Sequence, residues 1–256
     1  MNKDVSEPAA LPALAARISL WSPQRRRPAF LLLLVTALVL FLIWEPGAAW
    51  VIVWTALSAQ RGLVILLSLF AVVTLSLIWS SGQRLDTRLF LFLNLRVYPA
   101  WLDNWMWLAT QLGNMLTAFA AALVFSLLGE HRLAVEIVSG TLTLWLLVEI
   151  IKALSDRERP FLTLDNARVI GWREKGDSFP SGHTSQIFFL MTLFANHLQM
   201  GMWASLALFA VAALVGFTRV YVGAHYPRDV IAGLVLGSVW GILVTLLDPS
   251  WLFLRF

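Results

Sequence analysis

Six apolar runs, each near the length of a membrane span, constrain this chain more than any other feature. They cover residues 62–79, 105–128, 133–152, 184–198, 202–218 and 230–247. A hydrocarbon core about 30 Å thick is crossed by about 20 helical residues. Lipid offers no partner to a free backbone N–H or C=O, so such runs satisfy themselves as helices. The expected fold is all-α, a polytopic transmembrane helical bundle. Composition agrees: 59% of residues are hydrophobic and 13% charged, against roughly 45–50% and about 25% in soluble domains. Thirteen Trp and sixteen Phe suit a chain that meets membrane interfaces. A soluble globular fold, a disordered chain and a nucleic-acid partner are all disfavoured.

The remaining segments set the expected layout. Residues 1–28 read as a cytoplasmic tail ending in the basic cluster Arg25-Arg26-Arg27, without a trustworthy cleavage site. Residues 29–61 form an N-terminal helix or a helical hairpin, because Glu45-Pro46-Gly47 interrupts the run. The core spans 62–247 and a short tail 248–256 follows. One helix in 29–61 would leave the long polar loop 153–183 cytoplasmic, and a hairpin would place it outside. Residues 81–104 read as an interfacial amphipathic segment, with Leu85, Leu89, Phe92 and Leu93 opposite Asp86, Arg88 and Asn94. The absence of cysteine excludes disulfides and thiolate metal sites. A net charge of +4 is weak evidence for any partner.

Position matters more than net charge. Three segments hold the reactive side chains: Lys152 to Arg159-Pro160, Pro180-Ser181-Gly182-His183, and Arg219 to His225 and Asp229. The 133–152 helix exits at the first, the 184–198 helix enters after the second, and the 202–218 helix exits at the third. Alternating crossings therefore bring all three to one membrane face, in either orientation. Three cations, two histidines and one carboxylate gathered there suit phosphoryl transfer, in which charge spreads over the equatorial oxygens. Arg159 and Arg219 fork donors onto those oxygens, and Lys152 adds a point charge. Gly182 admits close backbone approach, and the amides from Ser181 to His183 open a helix that favours an anion. Pro227 suits the first position of the last helix, which makes Asp229 the third residue, able to reach back toward His225. The expected roles are His225 as nucleophile, Asp229 as the group that orients it, and His183 as general acid.

These segments resemble the signature of the type-2 phosphatidic acid phosphatase superfamily, K-x6-RP, PSGH and SR-x5-H-x3-D. Lys152, Arg159 and Pro160 match the first, and Pro180 to His183 the second. Arg219, His225 and Asp229 match the third, with Thr218 where the family usually has Ser. The likeness spans about 62–247. It implies a six-helix core, a phosphohistidine intermediate, and no cofactor or metal. It also implies a lipid phosphate or diphosphate substrate in a bacterial inner membrane, with the site on the outer face, which favours the hairpin in 29–61. Undecaprenyl diphosphate, phosphatidylglycerophosphate and phosphatidic acid are all reasonable substrates.

Blander readings stand beside these. Taken alone, Lys152 would snorkel and pair with Glu149, and either arginine would anchor at the interface. Asp156, Arg157 and Glu158 read as loop charges, with Arg157 within reach of a headgroup. Asp177 and Ser178 cap or shape the loop. His131 and His197 read as solvated residues on the far face, and Trp172 as a lipid contact. The competing functions are a phosphotransferase delivering the group to another lipid such as lipid A, a non-catalytic carrier of a phosphorylated lipid, and a vanadate-dependent haloperoxidase. The carrier needs the cations but neither histidine.

Overall fold

The computed structural model describes residues 61–76, 80–96 and 98–246, all within one compact unit of the chain. The expectations for 1–28, for the helix or hairpin in 29–61 and for 248–256 lie outside the described residues. Nine α-helices are described: α1 (Arg61–Ser76), α2 (Ser80–Asn94), α3 (Ala100–Thr110), α4 (Met115–Leu127), α5 (His131–Ser155), the single turn α6 (Pro160–Thr163), α7 (Gly182–His197), α8 (Met202–Tyr221) and α9 (Pro227–Leu246). No strand occurs among the described residues. By length and composition, α5, α8 and α9 are able to cross a membrane, and α3 with α4 make a fourth span if the bent pair counts as one.

The apolar run 105–128 is therefore not one straight helix. It breaks at a 3-10 turn (Gln111–Gly113) and bends by 60°. Asn114 restarts the helix by accepting the Leu116 N–H on its side chain. The break lets the chain approach the start of α7 closely: a Cβ on Gly113 would lie 2.6 Å from the His183 carbonyl oxygen.

At 16 residues, α7 is about 24 Å long and short for a span. Its neighbours enclose it, with Ile187, Phe188, Phe189, Leu190 and Leu193 all buried, so it need not match the lipid thickness. The closest packing is against α9. Gly233, Gly237 and Gly241 form a small-residue stripe at i, i+4, i+8 along that helix, the spacing that lets two membrane helices touch backbone to backbone. A Cβ on Gly237 would sit 2.2 Å from the Ser185 carbonyl oxygen, and one on Gly233 2.7 Å from that of Ser181. The stripe thus seats the second motif on the helix that begins just after His225.

The amphipathic helix α2 turns the opposite way from a helix on a soluble protein. Leu85, Leu89 and Phe92 are exposed, whereas Asp86 and Asn94 are buried. In a bilayer the outward face meets lipid, so the polar stripe turns inward and holds the loops. Asn94 donates to the carbonyls of Arg168 and Tyr221 at 2.8 and 3.0 Å and accepts the Arg168 N–H at 2.7 Å. Arg168 Nη1 donates to both carboxylate oxygens of Asp103 of α3, each at 2.9 Å. These bonds pin the loop between α6 and α7 against the end of α8.

Candidate active site

The three motifs meet at one end of the bundle, as alternating crossings require. Helix α5 ends at Asp156, whose left-handed φ of 51° stops it. The chain then runs extended through Arg159 into Pro160, the first residue of α6. Ser181 caps α7, its hydroxyl accepting from the Thr184 N–H and hydroxyl. Its own N–H donates to the Asp229 carbonyl at 3.0 Å. That bond ties the second motif to the third.

A cavity of about 340 Å³ opens between these elements. Lys152, Arg159, Gly182, His183 and His225 line it, together with Glu149, Glu174 and Gln186. Of the eight residues expected from the sequence, five reach the cavity wall. Ser181, Arg219 and Asp229 lie behind it, all buried. Lys152 is paired at 2.8 Å with Glu149, one turn back on α5, and still borders the cavity.

His225 is set for one tautomer. Its Nδ1 lies 2.7 Å from the Ser178 carbonyl oxygen, which only accepts, so Nδ1 carries the proton and Nε2 keeps its lone pair. Arg159 Nη1 lies 3.3 Å from Nε2 and is a donor only, in keeping with this assignment. Burial, with Arg159, Arg219, Lys152 and His183 nearby, pushes the His225 imidazole well below its usual range. The ring is neutral at neutral pH.

Asp229 differs in one respect from the sequence expectation. It reaches back from the third position of α9, but to the Tyr226 N–H at 2.9 Å, as a capping-box acid does. Its nearer oxygen is 3.7 Å from His225 Nδ1, beyond hydrogen-bond reach. The Ser178 carbonyl holds the imidazole directly, and Asp229 stands behind it. Sequence pattern does not reveal a backbone acceptor, so this partner was invisible there.

Arg157 also departs from its reading as a loop charge. It is buried, stacks over the Tyr226 ring with 4.5 Å to the centroid, and bridges Asp229 to Asp86 of α2 through one nitrogen each. Arg228 adds a second contact to Asp86 at 3.0 Å. Two arginines and two carboxylates therefore link the amphipathic helix to the third motif. On the opposite face His197 is likewise not a solvated residue: its Nδ1 lies 2.8 Å from buried Glu136, which also accepts from Arg132 at 2.9 Å. Trp172 is exposed, with its ring 5.7 Å from Trp107.

Glu174, absent from the sequence expectation, stands at the centre of the cations. It accepts from Arg159 Nη1 at 2.9 Å and from Arg219 Nη2. Its carboxylate is 3.9 Å from His183 Nδ1 and 3.9 Å from His225 Nε2. Arg219 is further fixed by Thr110 at 2.8 Å. Such an array binds an anion, offers an unprotonated imidazole nitrogen beside it, and holds a second imidazole within reach.

Comparison with known proteins agrees with this geometry. Residues 133–251 match the family profile described as the PAP2 superfamily. The bacitracin transport permease protein BcrC of Bacillus licheniformis is 37% identical over 113 residues, 43% of this chain and 53% of that one. The lipid A 1-phosphatase of Rhizobium etli is 34% identical over 131 residues, 50% of this chain and 53% of that one. The chain spans about half the length of these curated relatives. A crystal structure of a transmembrane PAP2-type phosphatidylglycerolphosphate phosphatase from Bacillus subtilis superposes with a TM-score of 0.62 at 23% identity, covering 73% of this chain and 96% of that one. At that identity the likeness concerns the fold.

Proposed function

We propose that the chain is a membrane phosphatase of the PAP2 superfamily, and that it hydrolyses a phosphomonoester or diphosphate on a lipid through a phosphohistidine at His225. The observation that carries this reading is the His225 tautomer: Nδ1–H given to the Ser178 carbonyl, Nε2 left unprotonated on the cavity wall. In the first step Nε2 attacks phosphorus and the ester or anhydride P–O bond breaks. His183 supplies the proton that the leaving oxygen takes up. In the second step the same imidazole accepts a proton from water, whose oxygen attacks the phosphohistidine and frees inorganic phosphate and His225. Arg159, Arg219 and Lys152, with the first amides of α7, stabilise the charge on the transferring group. Gly182 lies beside Lys152, where a Cβ would stand in ordinary contact 3.9 Å from its Nζ. Ser181 holds the start of α7 in place. The scheme needs no metal.

The substrate class rests on chemistry and relatives together. Trp145 and Met115 line the cavity beside its polar groups, an apolar flank that suits a headgroup whose chains stay in lipid. Lipid A, undecaprenyl diphosphate, phosphatidylglycerophosphate and phosphatidic acid present the required terminal phosphate. Purified protein in detergent should release inorganic phosphate from a short-chain lipid phosphate in excess EDTA, and vanadate should inhibit it. Activity that requires a metal contradicts the scheme. A carrier, the role that the name of the Bacillus licheniformis relative describes for that protein, would keep its transport after His225→Ala, whereas an enzyme would lose turnover.

We place the protein in the bacterial inner membrane with its site on the outer face, as the family resemblance implies. The chain has no cysteine, so single substitutions report orientation cleanly. A cysteine at Asn166, in the exposed part of the site loop, should react with an impermeant thiol reagent in intact cells. Protection at Asn166, with labelling of a cysteine at Asn196 on the far end, reverses the orientation.

A further inference from the structure

The cation cluster already holds an anion that belongs to the chain. Glu174 takes one donor from each arginine and lies 3.9 Å from both imidazoles, the place a transferring phosphate has to occupy. The other donors of Arg159 are committed to the carbonyls of Gly176, Lys175 and Ala224. Those of Arg219 comprise one bond to Thr110 and an Nε without a partner. The edges on Glu174 are therefore the ones a substrate has to claim. Burial alone would raise the Glu174 carboxyl, but Arg219, His183 and Arg159 outweigh it and hold it at about 2. Glu174 thus stays ionised through the physiological range and leaves the site only when another anion replaces it. Its side chain is 31% exposed, so it can swing toward solvent without opening the core.

The competition has a direction. A carboxylate tethered to the site competes at a high effective concentration. A phosphodiester lipid offers one charge and two free oxygens, no better than the carboxylate it would displace. A terminal phosphate offers close to two charges and three oxygens. Phosphodiesters make up the bulk of a phospholipid bilayer, and the exposed Trp145 lines the cavity. We propose that Glu174 is a resident anion that sets the affinity a headgroup needs to enter, so that weakly bound, singly charged phosphodiester lipids stay out and a terminal phosphomonoester or diphosphate displaces it. This deepens the lipid phosphatase reading and rests on it.

The test compares wild type, Glu174→Gln and Glu174→Asp, all full-length in detergent. Dioctanoyl phosphatidic acid serves as substrate, with dioctanoyl phosphatidylglycerol and inorganic phosphate as competitors. If the open site is populated less than about a tenth of the time, removing the plug strengthens apparent affinity about tenfold or more. A plug weakens every competing anion by the same factor, so Glu174→Gln should lower the inhibition constants of the diester and of inorganic phosphate alike, each by about tenfold or more. Glu174→Asp, which keeps the charge, should stay near wild type. Both constants unchanged in Glu174→Gln, with or without a fall in kcat, overturn the proposal. Thermal shifts induced by the same two competitors read binding without turnover. Absence of turnover on every lipid phosphate therefore defeats the phosphatase reading, while the shifts still decide the role of Glu174.

Discussion

Arg157 offers the sharpest perturbation, because the family signature passes over it and the structure places it between two buried carboxylates. Arg157→Met keeps much of the side-chain length and stacking over Tyr226 but removes the charge. Breaking a buried pair by deleting one partner costs about 3–5 kcal/mol, since the remaining charge loses its compensation. Asp86 keeps Arg228 at 3.0 Å, so the loss falls mainly on Asp229, left with the Tyr226 N–H at 2.9 Å. The lower end, about 3 kcal/mol, is therefore expected. For a chain of this size it corresponds to a Tm lower by about 6–12 °C, at about 2–4 °C per kcal/mol. If about 1.4 kcal/mol of it reaches the transition state through displacement of Asp229 behind His225, kcat falls about tenfold. Thermal unfolding in detergent and phosphate release are the assays. Arg157→Met/Asp229→Asn should be more stable than additivity predicts, by about 0.5–3 kcal/mol, because both members of the pair are then neutral. A Tm within about 1 °C of wild type and kcat within about twofold would show Arg157 to be a solvated loop charge and refute the reasoning.

Two further outcomes follow from the packing and from His225. Gly237→Leu drives a side chain into the Ser185 carbonyl, 2.2 Å from the Cβ position, and should cost at least the about 1–3 kcal/mol of ordinary overpacking; unchanged detergent stability would show that α7 and α9 do not touch there. The neighbouring cations and burial hold His225 neutral, whereas an unfolded histidine takes a proton near about 6.5. The unfolded state therefore binds more protons as pH falls below that value, and stability is lost at up to about 1.4 kcal/mol per pH unit. His225→Asn should flatten the dependence of Tm on pH between about 6.5 and 5, and parallel curves for the two proteins would contradict it.

Much of this site was legible because motif spacing and helix alternation are both properties of the chain alone. Lys152, Arg159, His183 and His225 reach one cavity for the reason the crossings gave, and Asp229 occupies the capping position that Pro227 implied. What escaped did so for physical reasons. The Ser178 carbonyl carries no side-chain identity, so no pattern marks it as the partner of His225. Glu174 sits between Arg173 and Lys175 in a loop without periodicity, where charge alone does not mark which residue turns inward. Asp86 and Asn94 looked like the wet side of an amphipathic helix, because that rule assumes water outside. In lipid the same alternation places them within the protein. The bend at Asn114 was hidden inside a continuous apolar run, where hydropathy reports solvent and not direction.

The central claim is that His225 carries the phosphoryl group. The direct measurement is rapid acid-free quenching of the enzyme during turnover of a lipid phosphate labelled with ³²P, followed by peptide mapping. The account predicts label on His225 that is stable to base and lost in acid, present in wild type and absent from His225→Ala. Label on another residue, or full turnover in His225→Ala, would contradict it.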